Sequence, residues 1–262
     1  MRALATAATG MMAQELNVQV ISNNIANMRT TGYKRQRAEF QDLLYEHVRR
    51  IGTQTSTNGN ILPVGIDLGG GVKTVGTPRL MTQGTLSQTG ADFDLAITGE
   101  GFFKVQMPDG TFTYTRDGSF SMDSQGRLVT PAGNPVQPGI TIPNNAQSVT
   151  ISSVGQVSVL VPGSTTPTVL GQINMTRFLN KAGLQAIGDN AFVETPASGT
   201  PQDGVPGTDG YGTITQGSLE QANVEAVTEI SDLIAAQRAY EMNGKVITAA
   251  DQMLQSTSQL MR

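Results

Sequence analysis

The chain has 262 residues, of which 38% are hydrophobic and only 5% aromatic, so it has room for one large or two modest domains around a small core. Its formal net charge of -4 argues against a nucleic-acid partner, which would require a large basic surface. Because the chain contains no cysteine and a single histidine, His47, it offers no thiolate nucleophile and no Cys-based zinc site. We therefore expect no cofactor, no metal and no enzyme activity.

The first predicted element is an amphipathic helix over residues 1–28. Apolar side chains recur there at seven-residue steps, which places them on one side of a helix that must pack against another helix. The helix should end near Asn27, because Thr30, Thr31 and Gly32 follow and favour a turn. The first row consists of Leu4, Met11, Val18 and Ile25, and the second of Ala7, Gln14, Ile21 and Met28.

The same segment bears on targeting. Gln14, Glu15 and Asn17 interrupt its apolar pattern and no small-residue cleavage site follows, so the sequence predicts no cleaved signal peptide. Nowhere do about 18 uncharged apolar residues follow one another, as a membrane-spanning helix requires.

Residues 33–71 give weaker signals. Between Tyr33 and Arg50 the apolar residues fit both a partly helical and an extended segment, and the sequence leaves the two open. Residues 51–71 contain a run rich in Thr, Asn and Gly, followed by Pro63 and three consecutive glycines. This composition predicts an extended arm or long loop rather than a packed element.

Residues 72–216 have the pattern of short β-strands separated by tight turns. Apolar and β-branched runs at 93–97, 102–105 and 111–115 alternate with Asp-Gly turns, which supply a left-handed backbone. The carboxylates of this region lie mostly beside glycines or in turns, where local hydrogen bonding explains an aspartate. The region is therefore predicted to be a β-rich domain without an active site.

A second long helix is predicted from about Leu219 to Met261. Ser218 fits the N-cap position, and Gln221 stands three residues later in the place of a capping box. Gly244 lies in the helix interior, either where another helix approaches closely or as a tolerated weak point. The seven-residue row of this helix consists of Leu219, Ala226, Leu233, Tyr240, Ile247, Leu254 and Met261.

Motifs along the chain resemble those of the bacterial flagellar rod and hook proteins, the axial proteins of the flagellum. Ser-Asn-Asn-Ile-Ala-Asn at 22–27, followed by Thr-Thr-Gly-Tyr-Lys at 30–34, resembles the N-terminal signature of that family. Leu-Glu-Gln-Ala-Asn-Val at 219–224 opens a stretch that resembles its C-terminal signature, which 237–243 continues and 249–254 closes. Further similar motifs cover residues 95–103 and 114–120, so the resemblance extends over nearly the whole chain.

The resemblance implies an α+β fold in which the N- and C-terminal helices pair in a coiled-coil-like domain, with an extended arm and a central β-rich domain. We expect residues 1–32 with 217–262 to form the helical polymerisation domain, 33–71 the arm and linker, and 72–216 the β-rich domain. The residues expected to pack between subunits are Leu4, Met11, Val18, Ile21, Asn23, Asn24, Ile25, Asn27, Leu219, Leu233, Tyr240, Ile247, Leu254 and Met261.

The asparagines of the N-terminal signature are unusual in an apolar helix, because asparagine is a poor helix former. One interpretation is a fraying helix end that Asn27 caps. The other, which the resemblance favours, is that Asn23, Asn24 and Asn27 hydrogen-bond to neighbouring subunits and fix their register.

The function that the resemblance implies is mechanical. The chain would be a structural subunit of the basal-body distal rod, a rigid helical tube that transmits torque from motor to hook and encloses the export channel. The implied partners are further copies of the chain, the proximal rod, the hook or hook-junction proteins, the surrounding P and L rings and the export apparatus. The implied location runs from the periplasm to the outer membrane.

The alternative is a proximal rod or hook-type subunit of the same flagellum. A hook protein is normally longer, and the proximal rod proteins generally lack a polar insertion such as the one at about 52–66. We expect this insertion to stiffen the rod, with Gly52, Asn58, Gly59, Leu62 and Pro63 as its contact residues.

Overall fold

The computed structural model describes residues 2–49, 64–163 and 166–260, and within them the chain forms two compact units. The first, called the helical unit here, comprises Met1–Ile25, Gln36–Pro78 and Glu225–Arg262. The second, called the β unit, comprises Ala26–Arg35 and Arg79–Val224. An α+β fold with helices near both ends and a β-rich central region is thereby confirmed.

The helical unit contains two long helices and two short antiparallel ribbons. Helix α1 spans Arg2–Ala26, which confirms the predicted N-terminal helix, and helix α2 spans Ala226–Leu260. Strand β1 (Glu39–Asp42) pairs with β4 (Val72–Gly76), and β2 (Tyr45–Arg49) pairs with β3 (Ile66–Gly69). The segment that the sequence left open after Tyr33 is therefore extended.

Two helix contacts define how α1 and α2 run. The amide of Asn24 bonds the carboxylate of Glu229, and the face of α1 at Gly10 lies against the side chain of Asn243. The later residue of α1 thus meets the earlier residue of α2, so the two helices are antiparallel.

The predicted start of the second helix is wrong. Leu219 lies in a strand, Ser218–Glu220, and α2 begins seven residues later at Ala226. The Gln221 amide donates to the carbonyl of Thr85, which fixes this segment against a neighbouring strand and prevents a helical turn at Ser218. The seven-residue pattern passes through Leu219 without the backbone being helical there.

The predicted arm falls partly within the described residues. Ile66–Gly69 is an exposed strand, in agreement with the extended alternative, and its partner Tyr45–Arg49 precedes the polar insertion. Gly52, Asn58, Gly59, Leu62 and Pro63 lie outside the described residues, as does Met261.

The β unit is built from short strands, and the sequence predicted those at 93–97, 102–105 and 111–115. Its described strands are β5 (Leu86–Gln88), β6 (Leu95–Thr98), β7 (Phe102–Gln106), β8 (Phe112–Thr115), β9 (Ser121–Met122), β10 (Leu128–Val129), β11 (Ser148–Ile151), β12 (Gln156–Leu160), β13 (Thr168–Gln172), β14 (Met175–Arg177), β15 (Gln185–Gly188), β16 (Ala191–Val193), β17 (Gln202–Gly204), β18 (Thr213–Gln216) and β19 (Ser218–Glu220). A single 3-10 turn, Lys181–Gly183, lies between β14 and β15 among these residues.

The largest sheet of the β unit has six strands in the order β15-β16-β8-β7-β14-β17. The remaining strands form the three-stranded sheet β11-β12-β13 and the pairs β10-β9, β18-β6 and β19-β5. Alternate side chains of these strands form the main core, which includes Leu95, Phe103 and Met175, all fully buried. A second cluster packs Tyr114 edge-to-face on Phe178, with 4.7 Å between ring centroids.

Candidate functional site: a buried charge cluster and a helix seam

Three of the family-like motifs contribute one charged side chain each to a single cluster inside the β unit. Lys34 follows α1, Arg116 follows β8, and Glu220 ends β19. Their side chains are 1%, 3% and 0% exposed, respectively. Segments that are far apart in the sequence are therefore joined by ion pairs that water does not reach.

The Glu220 carboxylate lies between the two cations. Its Oε1 accepts hydrogen bonds from Lys34 Nζ at 2.6 Å and from the Gly84 amide at 2.8 Å. Its Oε2 accepts from Arg116 Nη1 at 3.2 Å. Both carboxylate oxygens thus accept from charged donors, which compensates for the cost of burying the acid.

The two cations bond carbonyl groups as well as Glu220, and Arg116 Nε is buried without a hydrogen-bond acceptor. Lys34 Nζ donates to the carbonyl of Thr82 at 2.8 Å, and Arg116 Nη2 donates to that of Gly99 at 2.7 Å. Burial lowers the pKa of Lys34 below its ordinary value, although the charge and hydrogen bond of Glu220 oppose that shift. The cluster therefore depends on Glu220 to keep two cations inside the fold.

The turn before Lys34 requires a glycine. Gly32 has φ of 69°, and a Cβ there would lie 2.6 Å from the backbone nitrogen of Asp117. The Gly32 amide also donates to the Glu220 carbonyl at 2.8 Å. The Thr-Thr-Gly-Tyr-Lys motif thus positions Lys34 in the cluster. The backbone of Asp117 lies so close to Gly32 that no larger residue fits there.

Asn223 bonds two other segments of the β unit, one at Arg35 and one at Leu80 and Thr82. Its Oδ1 accepts from the Arg35 amide at 2.7 Å, and its Nδ2 donates to the Leu80 carbonyl at 2.8 Å and to Thr82 Oγ1 at 2.9 Å. Like Glu220, this residue belongs to the opening of the C-terminal signature, at 219–224, which the structure places outside α2. This part of the signature therefore serves the β unit and not a helix.

In the helical unit, Asn24 occupies the buried face of α1. Its Nδ2 donates to the Gln36 carbonyl at 2.9 Å and to Glu229 Oε2 at 3.2 Å, while its Oδ1 accepts from the Gln36 amide at 2.9 Å. Asn24 is 1% exposed and Glu229 is fully buried. Asn24 thus uses its amide within the chain, and its predicted contact with a neighbouring subunit stays a prediction.

The other residues predicted to pack between subunits are distributed over buried and exposed positions. Ile21 is buried within the chain, and Asn23 is exposed at the end of α1. Tyr240 and Leu254 are each 45% exposed on α2. The remaining described members are half-buried: Leu4, Met11, Val18, Ile25, Asn27, Leu219, Leu233 and Ile247.

The sequence missed the row that α2 buries most deeply. Glu229, Ala236, Asn243 and Ala250 also follow one another at seven-residue steps, and all but the half-buried Asn243 are buried. A small or polar residue in this row attracts less notice than the leucines beside it. This second heptad row can be seen in the sequence. Only its contact with α1 in the structure shows that it is buried more deeply than the leucine row.

Nothing in the described ranges suggests catalysis or membrane insertion. No group of three or more His, Asp and Glu side chains there is arranged to hold a metal ion. Neither helix has, over the same residues, an apolar stretch of the length that a membrane crossing needs.

Comparison with known proteins identifies matching families over most of the chain. Residues 4–34 match the flagella basal body rod protein family, 96–159 the flagellar hook protein FlgE/F/G D1 domain, and 215–260 the flagellar basal body rod FlgEFG protein C-terminal family. The first and last of these ranges contain Lys34 and Glu220, and the middle one contains Arg116.

Two individual relatives match over nearly their full length, and a third matches over part of it. The chain is 56% identical to flagellar basal-body rod protein FlgG of Caulobacter vibrioides over 260 residues, 99% of both chains. It is 50% identical to the protein of the same name from Agrobacterium fabrum over 97% of both chains. A flagellar hook protein FlgE of Helicobacter pylori is 41% identical over 138 residues, which is 52% of this chain and 19% of the hook protein.

Proposed function

The chain belongs to the flagellar basal-body rod protein family, and from this premise we infer that it is a structural subunit of the distal rod. The observation that carries the inference is the match to rod protein FlgG over 99% of both chains. A hook-type subunit is the weaker alternative, because the hook protein shares only 19% of its own length with this chain.

The proposed activity is self-assembly into a helical tube that transmits torque. Contacts between unlike surfaces of identical subunits produce an open filament instead of a closed ring. Helix α2 offers such a surface, since it exposes apolar side chains that its own chain does not cover. These side chains and their exposed fractions are Val227 (73%), Ile230 (48%), Ile234 (46%), Met242 (59%), Val246 (47%) and Met253 (63%).

We propose that these residues act together with the exposed members of the predicted set, Tyr240 and Leu254, in packing α2 against neighbouring copies. Exposed apolar area of this kind favours association, because burying it releases about 25 cal/mol for each Å². Coiled-coil packing of α1 on α2 would then present one continuous helical surface to the next subunit.

We propose that the polar insertion stiffens the rod, because the strands on either side of it form an exposed ribbon. Strands β2 and β3 flank the polar insertion, and every residue of both strands is exposed. Tyr45, Val48, Ile66 and Leu68 are 52%, 57%, 51% and 44% exposed. In an assembled rod these side chains and the insertion residues would lie against adjacent subunits and resist bending.

The further partners follow from the same role. At its two ends the rod would contact proximal rod and hook or hook-junction proteins, and along its length the P and L rings. Passage through the flagellar export apparatus would bring the subunit to the periplasm without a cleaved signal peptide.

The test compares two variants of α2 in a filament assay. I234E/M242E places two carboxylates on exposed apolar positions, and Q237E/Q252E adds the same charge at exposed polar positions of the same helix. We expect the full-length protein and Q237E/Q252E to form straight tubes in electron microscopy and to sediment as polymers, whereas I234E/M242E remains monomeric. Unimpaired tubes from I234E/M242E would refute the proposed contact surface.

A truncation gives a second readout. A chain ending at Glu225 keeps Glu220 and Asn223, so its β unit retains the charge cluster, but it lacks α2. We expect this chain to be folded and unable to assemble. Deleting from Leu219 onwards is the less informative test, because it would also remove the acid of the cluster.

A further inference from the structure

The two contacts between α1 and α2 have the same spacing on both helices. Fourteen residues separate Gly10 from Asn24, and fourteen separate Glu229 from Asn243. Two heptads therefore fit between the contacts on each side. Stepping one heptad inward from both ends places Asn17 opposite Ala236.

The Asn24 amide is held in one orientation. Both its oxygen and its nitrogen bond the backbone of Gln36, at 2.9 Å each, so Nδ2 is directed at Glu229 by a second, fixed partner. An amide held in this way cannot turn to follow a shifted helix.

A slip of α2 by one heptad would break this arrangement. Ala236 would then lie opposite Asn24, and the buried Glu229 carboxylate would lose the amide that donates to it. Leaving a buried acceptor without its donor costs more than an ordinary hydrogen bond contributes. At Gly10, a Cβ would lie 2.9 Å from Asn243 Nδ2, so the second contact also depends on a specific pair of residues.

We propose that the Asn24–Glu229 bond, supported by the Gly10–Asn243 contact, selects the register of α1 against α2 within a single chain. The apolar rows beside it repeat every seven residues, so their spacing alone does not exclude a heptad slip. The polar pair removes that ambiguity, as a single buried polar residue does in other helix seams. This role concerns the monomer, so it stands or falls independently of the proposed assembly.

The absence of cysteine from the sequence makes the register directly measurable by disulfide cross-linking. In a dilute monomeric sample, N17C/A236C reports the proposed register, and N17C/N243C reports a slip of one heptad. Seven residues of helix span about 10.5 Å. A disulfide joins Cα atoms no more than about 7 Å apart, so the two pairs discriminate. We expect N17C/A236C to form an intrachain disulfide and N17C/N243C to stay reduced.

The role of the polar pair is tested by adding N24A to both cysteine pairs. We expect the in-register yield to fall and the slipped yield to rise, changing their ratio roughly tenfold, since a buried bond of this kind is lost. N23A, at the exposed neighbouring asparagine, is the matched control and should leave the ratio unchanged. E229Q keeps an acceptor for the Asn24 amide, so it should also retain the original ratio.

Each of the following outcomes would overturn the proposal. The slipped pair forming as readily as the in-register pair in the parent would deny a selected register, as would an in-register pair that never forms. A ratio unchanged by N24A would deny the role of Asn24. A disulfide that joins two chains, recognised by its mobility on a non-reducing gel, would place the contact between subunits. Should N24A lose its helical circular dichroism, E229A removes the acceptor instead, and an unchanged ratio in that variant would decide against the proposal.

Discussion

The charge cluster of the β unit and helix α2 of the helical unit differ in how far the chain itself covers their side chains. Lys34, Arg116 and Glu220 of the cluster are at most 3% exposed. On α2, Val227 is 73% and Met253 is 63% exposed. The cluster completes its ion pairs within the chain, whereas α2 carries apolar side chains that the described residues leave in solvent.

Each of the two signatures contributes residues both to the β unit and to the helical unit. The C-terminal signature begins with Glu220 and Asn223, which stabilise the β unit, and only its later part lies on α2. The N-terminal signature likewise divides between Asn24, which bonds α2, and Lys34, which bonds Glu220. Residues that belong to one motif in the sequence thus serve two different purposes.

The largest expected effect comes from removing the acid of the charge cluster. E220A would leave the Lys34 and Arg116 cations buried without their carboxylate. Breaking a buried ion pair on one side typically destabilises by about 3–5 kcal/mol. We expect a loss of this size in the free energy of unfolding, measured by urea denaturation followed by circular dichroism.

The control for that variant is E194A, at an exposed glutamate of the same unit. Surface substitutions of this kind usually change stability by less than about 0.5 kcal/mol. An E220A protein as stable as E194A would mean that the cluster contributes nothing. The contrast between the buried charge cluster and the exposed surface of α2 would then lose its main support.

The sequence predicted the elements better than it predicted the cluster. Heptad rows and Asp-Gly turns depend on neighbouring residues. They predicted both long helices and the central strands at 93–97, 102–105 and 111–115, although α2 begins later than predicted. The cluster joins Glu220 to Arg116 across 104 residues and to Lys34 across 186, separations that no local pattern reports. The available hint was that each motif carries at least one charged residue inside a mostly apolar or turn-forming segment.

A smaller effect is expected from Tyr114 at alkaline pH. Burial, followed by the charges of Glu194 and Asp203, raises the pKa of Tyr114 from 10.0 to about 12. Below pH 10 the side chain is neutral in both states. Between about pH 10 and 12 only the unfolded chain releases this proton, so the folded state loses stability as the pH rises.

Y114F should therefore lose less stability than the parent between about pH 10 and 12. Urea denaturation at a series of pH values measures this difference. Lys34, whose pKa burial lowers, is present in both proteins and cancels from the comparison. Y45F, at a half-exposed tyrosine of the ribbon, is the control and should follow the parent. Identical slopes for Y114F and the parent would contradict the burial of this ring in solution.

The start of α2 shows why local signals failed at one boundary. Ser218 and Gln221 have the spacing of a capping box, and Leu219 continues the heptad row. Tertiary bonds decide otherwise, because the Glu220 side chain reaches Lys34 and the Asn223 amide reaches Arg35. Helix propensity is a weak preference that a few such contacts outweigh.

The smallest expected effect separates the two interpretations of Gly244. A Cβ at this position would meet no atom of the chain within 4 Å, so G244A introduces no clash in the monomer. Alanine is favoured over glycine in a helix interior by about 1 kcal/mol, and we expect the stability of α2 to rise by up to that amount. Thermal unfolding followed at the helical circular dichroism band measures the gain, and filament formation by the same protein gives the second readout. If G244A is more stable and still assembles, Gly244 is a weak point that the helix tolerates. If it is more stable but fails to assemble, a neighbouring copy approaches α2 at this glycine. The surface through which α2 packs against other copies then includes the face that carries Gly244.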